Sequence, residues 1–115
     1  LIEEKDPNGL DAKVPGAKLD AGKIAVHRGL YDYFPRALMA VADISTIGAA
    51  KYSWGGWRHV ADGYLRYSDA LGRHLLAEQI EGKYDTQTSK LHAAHLAWNA
   101  LARLELLLQE EDKCK

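Results

Sequence analysis

The chain is poor in the residues that most often announce a function. It holds one cysteine among 115 residues. A lone thiol makes no internal disulfide and no paired-cysteine metal or redox motif, and it suits a reducing compartment. That thiol, Cys114, lies in a charged C-terminal run and reads as a surface group, not a nucleophile. Neither charge is in excess: 15 Lys and Arg stand against 16 Asp and Glu, for a net charge of -1. The basic surplus of a general nucleic-acid binder is missing, so no stable nucleic-acid partner is expected. No apolar run approaches the roughly 18 residues of a membrane span, so no membrane partner is expected either. No secretory signal is visible, and cytoplasmic residence is the expectation. There is no phosphate-binding P-loop, no H-E-x-x-H and no Ser-His-Asp order, which leaves covalent serine or cysteine catalysis without support.

What remains is an ordinary globular composition, 47% hydrophobic and 27% charged, of a size for one core. The most informative stretch is residues 90–104, where Ala and Leu dominate and helix is strongly favoured. At 100° per residue, His92, His95, Asn99 and Arg103 fall on one narrow stripe, with apolar positions on both sides. A helix apolar nearly all round is expected to be buried. A polar stripe within it then needs partners: a hydrogen-bond network, a metal or a ligand.

Taken in order, residues 1–16 carry Pro7, Gly9, Pro15 and Gly16 and read as a flexible arm. Residues 17–109 make the folded domain. Lys18, Asp20, Gly22 and Lys23 suggest an ordered loop, and residues 24–34 a connection or short helix. Pro35 suits a helix's first turn, and residues 36–52 follow with helical spacing. Residues 51–59 place Gly55 and Gly56 between Trp54 and Trp57, which predicts a loop carrying rings beside Lys51 and Arg58. Such a loop is either a flap over the core or a base-stacking, phosphate-gripping element. A second helix is expected over residues 64–81, ended by Gly82. Asp69 and Arg73, and His74 and Glu78, are i, i+4 pairs that serve equally as surface ion pairs. The link to the last helix is short, with Thr88 or Ser89 as its N-cap, so the flanking helices should be antiparallel neighbours with Glu81 and Asp85 near His92. Residues 110–115 form a charged tail. The fold class is therefore all-α: about three main helices, an antiparallel pair carrying the site, completed by homo-oligomerisation because so few helices bury little alone.

The candidates assemble at one place. Glu81, Asp85, His92 and His95 form a carboxylate and imidazole set that suits a divalent metal ion, Mg or Mn first, with Co or Zn as further candidates. The same pair of histidines also serves as a satisfied core network.

Several short motifs, in order, carry a resemblance. They are Lys18-x-Asp20-x-Gly22-Lys23, Gly48-Ala49-x-Lys51-Tyr52, Trp57-Arg58, Arg66-Tyr67-x-Asp69-Ala70-x-x-Arg73-His74, Asp85, and His92-x-x-His95-x-x-x-Asn99-Ala100-Leu101. Together these resemble the phage and prophage dATP/dGTP diphosphohydrolase N-terminal domain family across residues 16 to 108. The chain departs from that pattern at Gly56, where the family has Asn, and at Lys83, where an acidic residue is usual and Glu81 is the available substitute. The resemblance implies metal-dependent hydrolysis of dATP or dGTP to monophosphate and pyrophosphate, in the host cytoplasm if phage-encoded. It assigns metal contact to Glu81, Asp85, His92 and His95. Lys51, Arg58, Arg66 and Arg73 would hold phosphates, Tyr52 or Trp57 would stack the purine, Asn99 would contact substrate, and Asp69 or His74 would orient the water. The competing readings are a nucleotide-sequestering protein without turnover and a structural domain whose polar stripe fixes helix pairing.

Overall fold

The computed structural model describes residues 3–113, and Cys114 lies outside them. The chain divides into two compact units, Leu1–Pro35 and Arg36–Lys115.

The first unit is built from turns around Asp6. One Asp6 carboxylate oxygen accepts the backbone N–H groups of Asn8 at 2.7 Å and Leu10 at 3.4 Å, and the other accepts that of Lys18 at 2.8 Å. The Ala21 N–H reaches the Lys5 carbonyl at 2.8 Å. The 1–16 segment, read as a flexible arm, is thus tied to the loop that follows it by the Lys18-to-Asp6 and Ala21-to-Lys5 hydrogen bonds. A single π-helical turn, His27–Tyr31, occupies the predicted connection.

The second unit is all-α, and the described residues contain no β-strand. Helix α1 runs Pro35–Lys51, α2 Gly63–Glu81 and α3 His92–Lys113. Pro35 opens α1, where its missing N–H costs nothing. Beyond α1, Gly55 turns the chain at φ 75°, a left-handed conformation that favours glycine, into a short 3-10 helix, Gly56–His59. Gly82 stops α2 at φ 106°. Contacts pair low numbers of α2 with high numbers of α3: Ser68 with Arg103, His74 and Glu81 with His92. The two helices are therefore antiparallel, as the short link predicts. The helices approach closely at their far end, where a Cβ on Gly63 would stand 3.2 Å from Leu106 Cδ1.

Three rings tie the elements together. Trp57, Tyr67 and Trp98 meet edge to face with centroids 5.5 to 6.2 Å apart. Tyr67 Oη donates to the Trp57 carbonyl at 2.8 Å, and Trp98 Nε1 donates to Ser45 Oγ of α1 at 2.8 Å. Lys90 adds an ion pair to Asp43 of α1 at 3.0 Å. Burial pushes the Tyr67 phenol above its ordinary range.

Two expectations about α3 need correction. It starts at His92, and neither Thr88 nor Ser89 stands at its N-cap, because the Thr88 hydroxyl is engaged by Asp85 and His95. Nor is α3 buried all round. His92 and Asn99 are 2% and 6% exposed, whereas Leu101 and Leu104 are about half exposed at 51% and 52%. The polar stripe faces the core, and Leu101, Leu104, Leu107 and Leu108 face out. The helix also continues through the residues read as a charged tail, to Lys113.

Candidate functional site

The site is the seam between the C-terminal half of α2, the 82–91 link and the first turns of α3. The link is a closed loop. His92 N–H bonds to the Lys83 carbonyl at 2.9 Å, Asp85 N–H to Lys90 at 2.8 Å, and Ser89 N–H to Asp85 at 2.8 Å, with an isolated antiparallel bridge between Tyr84 and Leu91. Ser89 takes a left-handed φ of 63° to make the turn. This closure holds Asp85 and Thr88 against α3.

Two hydrogen-bonded chains result. In the first, His92 Nε2 lies 3.2 Å from Glu81 Oε2, and His92 Nδ1 lies 2.9 Å from His74 Nδ1. A carboxylate only accepts, so His92 donates through Nε2, and in the tautomer that this selects Nδ1 is the acceptor. His74 Nδ1–H is then the donor, and His74 Nε2 is left as a lone pair. Every buried polar side-chain atom among the described residues has a partner, so this partnerless nitrogen is reached by solvent. In the second chain, Thr88 Oγ1 donates to Asp85 Oδ2 at 2.9 Å and accepts from His95 Nε2–H at 2.8 Å. The two chains touch where His74 stacks on His95, centroids 4.4 Å apart and planes 4° from parallel.

The surroundings of His74 and His95 disfavour their charged forms. Burial lowers the His74 pKa below the ordinary imidazole value, and the neighbouring His95 lowers it further, against the opposing pull of Asp85. Burial likewise lowers His95, with Asp85 again opposing. For Asp85 the balance reverses. Burial would raise its pKa, but hydrogen bonds from the Thr88 hydroxyl and the Gln87 and Thr88 backbone, with His95 beside it, bring it below the usual carboxylate range.

The structure therefore joins His74, Glu81, Asp85, His92 and His95, all selected from sequence. Asn99 lies on the same buried stripe, its amide donating to the His95 carbonyl at 2.8 Å. The four residues assigned to a metal, however, form two separate pairs, and no group of three His, Cys, Asp or Glu side chains among the described residues is arranged to hold an ion. With both His92 nitrogens engaged, this arrangement is not a ready ligand cage.

Other candidates lie elsewhere. Asp69, Arg66 and Arg73 are exposed on α2. The Arg66 guanidinium donates to the Ala61 carbonyl at 3.4 Å, and the i, i+4 ion pair of Asp69 with Arg73 is not among the salt bridges of the described residues. Arg58 lies over the Trp57 ring at 5.4 Å, and Lys51 over Tyr52 at 5.2 Å. Trp57 is held in the aromatic cluster, whereas Tyr52 and Trp54 are 77% and 75% exposed. Sequence reasoning missed Thr88, which it assigned to a cap, and passed over Trp54; the spacing of Thr88 seven residues before His95 was the available signal for the first.

Residues 13–114 match the family model described as dATP/dGTP diphosphohydrolase, N-terminal, so this chain belongs to that family. It is 35% identical over 82 residues to a protein named dATP/dGTP diphosphohydrolase from Salmonella phage PMBT28. The match covers 71% of this chain and 26% of that relative, so the chain spans about a quarter of the relative's length. No solved structure matches the chain.

Proposed function

We propose that this member of the dATP/dGTP diphosphohydrolase N-terminal family hydrolyses purine deoxynucleoside triphosphates to the monophosphate and pyrophosphate. The observation that carries the reading is the Glu81–His92–His74 chain, which fixes one tautomer and leaves His74 Nε2 as a solvent-reached base. A base whose pKa lies below its ordinary value is unprotonated at neutral pH and ready to take a proton. In the proposed reaction a water gives its proton to His74 Nε2 and its oxygen attacks the α-phosphorus. The bond from that phosphorus to the bridging oxygen breaks, and pyrophosphate leaves. Glu81 and His92 are positioning residues for His74. Lys51 and Arg58 supply cations for phosphate oxygens, and the exposed Tyr52 and Trp54 rings supply planes for the purine. A divalent ion would belong to the triphosphate substrate as its counter-ion, since Glu81, Asp85, His92 and His95 stand as two separate pairs and not as a ligand set for a resident ion.

The test is a product assay. The chain is incubated with each of the four deoxynucleoside triphosphates, with Mg, Mn, Co or a chelator, and the products are separated by anion exchange. Monophosphate and pyrophosphate from dATP or dGTP support the reading. Intact nucleotide with saturable binding would replace it by the second reading, a nucleotide-sequestering protein, which the exposed rings beside Lys51 favour because stacking and charge suffice for binding without a base.

A further inference from the structure

The first unit has a cavity of its own, and the proposed reaction makes no use of it. It measures about 430 Å³, and Lys18, Lys23 and Arg28 line it together with Glu4, Asp20 and Ile24. The loop read from sequence as ordered is the one that builds it. Backbone bonds hold that loop at close intervals. The Lys18 N–H donates to Asp6 Oδ2 at 2.8 Å, the Asp20 N–H to the Lys18 carbonyl at 2.9 Å, and the Lys23 N–H to the Asp20 carbonyl at 3.1 Å. Gly22 supplies the left-handed residue of this turn, at φ 77°. Beyond it, the Gly29 N–H donates to the Ala25 carbonyl at 2.7 Å and fixes the chain on both sides of Arg28.

The three cations around this cavity are not neutralised. None of them takes part in an ion pair among the described residues, although Lys5 and His27 of the same unit do, with Glu3 at 3.4 Å and Asp32 at 3.2 Å. Glu4 and Asp20 border the cavity without pairing to any of the three. In a chain of net charge -1, this is a local reversal of sign. We propose that the cavity binds a polyphosphate anion, with Lys18, Lys23 and Arg28 each taking phosphate oxygens. A single carboxylate carries its two oxygens on one carbon and suits one guanidinium or ammonium group. Linked phosphates carry oxygens along their length and meet three cations at once. The volume agrees, since small-molecule sites occupy roughly 300 to 1,000 Å³, more than one phosphate group fills. The backbone is already closed by its own hydrogen bonds, so binding orders only three side-chain ends. Ile24, 89% exposed, adds an apolar surface on which a nucleoside can rest. Free pyrophosphate and a nucleoside triphosphate therefore share the chemistry that the cavity recognises.

Sodium pyrophosphate is titrated into the nitrogen-15-labelled 115-residue chain, with a chelator present and ionic strength held constant by sodium chloride. The amide signals of Lys18 to Arg28 should move saturably with one Kd. Lys23→Gln and Arg28→Gln should each raise that Kd about tenfold, the size of one charge-assisted contact. Lys13 is a cation of the same unit outside the cavity, and Lys13→Gln should leave Kd within about twofold at fixed ionic strength. No saturable movement at these amides, or an equal loss from Lys13→Gln, would overturn the assignment. Movement confined to α2 and α3 would overturn it as well, while leaving the proposed activity standing. Lys18, Lys23 and Arg28 are exposed, so their replacement keeps the turns, and should one variant unfold, the wild-type shift map decides. The two sources of polyphosphate are separated by titrating dATP into the His74→Gln chain. A Kd about tenfold below that of pyrophosphate, lost in Ile24→Ser, assigns the nucleotide, and equal Kd values assign free polyphosphate; either supports the site. None of these readouts needs turnover, so the anion site and the proposed hydrolysis fail separately.

Discussion

His74 and His95 lie face to face, 4.4 Å between centroids and 4° from parallel, with His74 bonded to His92 and His95 beside Asp85. Two imidazoles so placed tolerate neutrality and resist a shared double charge. The pKa of each is lowered from 6.5. The unfolded chain therefore binds protons at these positions before the folded one does, and the stability they contribute is full above pH 6.5 and is lost as pH falls from there towards the folded values. Thermal midpoints should fall on acidification below pH 6.5, before carboxylates titrate. His95→Gln should flatten that limb of the curve, and an unchanged slope would remove the stack as its cause.

His74 is expected to matter to rate more than to fold. It is half-buried and bonded only through Nδ1, so His74→Gln leaves the helices in place. Loss of a general base lowers kcat by about 10² to 10⁴. Glu81→Gln keeps an acceptor for His92 but removes the charge that selects the Nε2–H tautomer, so a smaller kcat loss with little change in KM is expected. Nitrogen-15 NMR of the ring nitrogens checks the premise directly: His92 should carry its proton on Nε2 and His74 on Nδ1. The opposite tautomers would remove His74 Nε2 as the base.

The grouping of these residues was legible in the sequence because helix periodicity and a short link suffice to bring 81, 85, 92 and 95 together. Their hydrogen-bond order was not, since it depends on Ser89 entering a left-handed turn that points Thr88 at His95. The same periodicity located the α3 leucines but assigned them to the interior. An apolar stripe at helical spacing shows which positions share a face, and it does not show that the face packs against the rest of the chain. The turns around Asp6 were missed for another reason: its partner Lys18 is 12 residues away, and a polar, glycine-bearing segment has no periodicity to reveal such a bond.

The two loop tryptophans should separate cleanly. Trp57 makes edge contacts with Tyr67 and Trp98 and gives its carbonyl to Tyr67. Replacing it by Ala should cost about 3 kcal/mol in urea denaturation, the lower end for a large aromatic because the ring is only half-buried. Trp54 is 75% exposed, and Trp54→Ala should lie within about 0.5 kcal/mol of wild type. If Trp54 stacks the base, the same change should raise the KM or Kd for purine nucleotides while leaving stability alone. An unchanged affinity would assign stacking elsewhere, with Tyr52 the next ring to replace.

Asp6 gives a prediction confined to the first unit. Its carboxylate is held below the usual range, chiefly by the Lys18 N–H, with Asn8 and Leu10 adding to this and burial opposing it. Removing that acceptor in Asp6→Ala frees the Lys18 and Asn8 amides, which should exchange with solvent deuterium at loop-like rates while α2 and α3 amides keep their protection. Acid should reproduce the effect in the wild-type chain. A lowered pKa means the bonds are present above 3.8 and fail as pH drops through the folded value, so protection at Lys18 should persist to lower pH than an ordinary aspartate allows. Equal exchange at Lys18 in wild type and Asp6→Ala would show that the turns stand without the carboxylate.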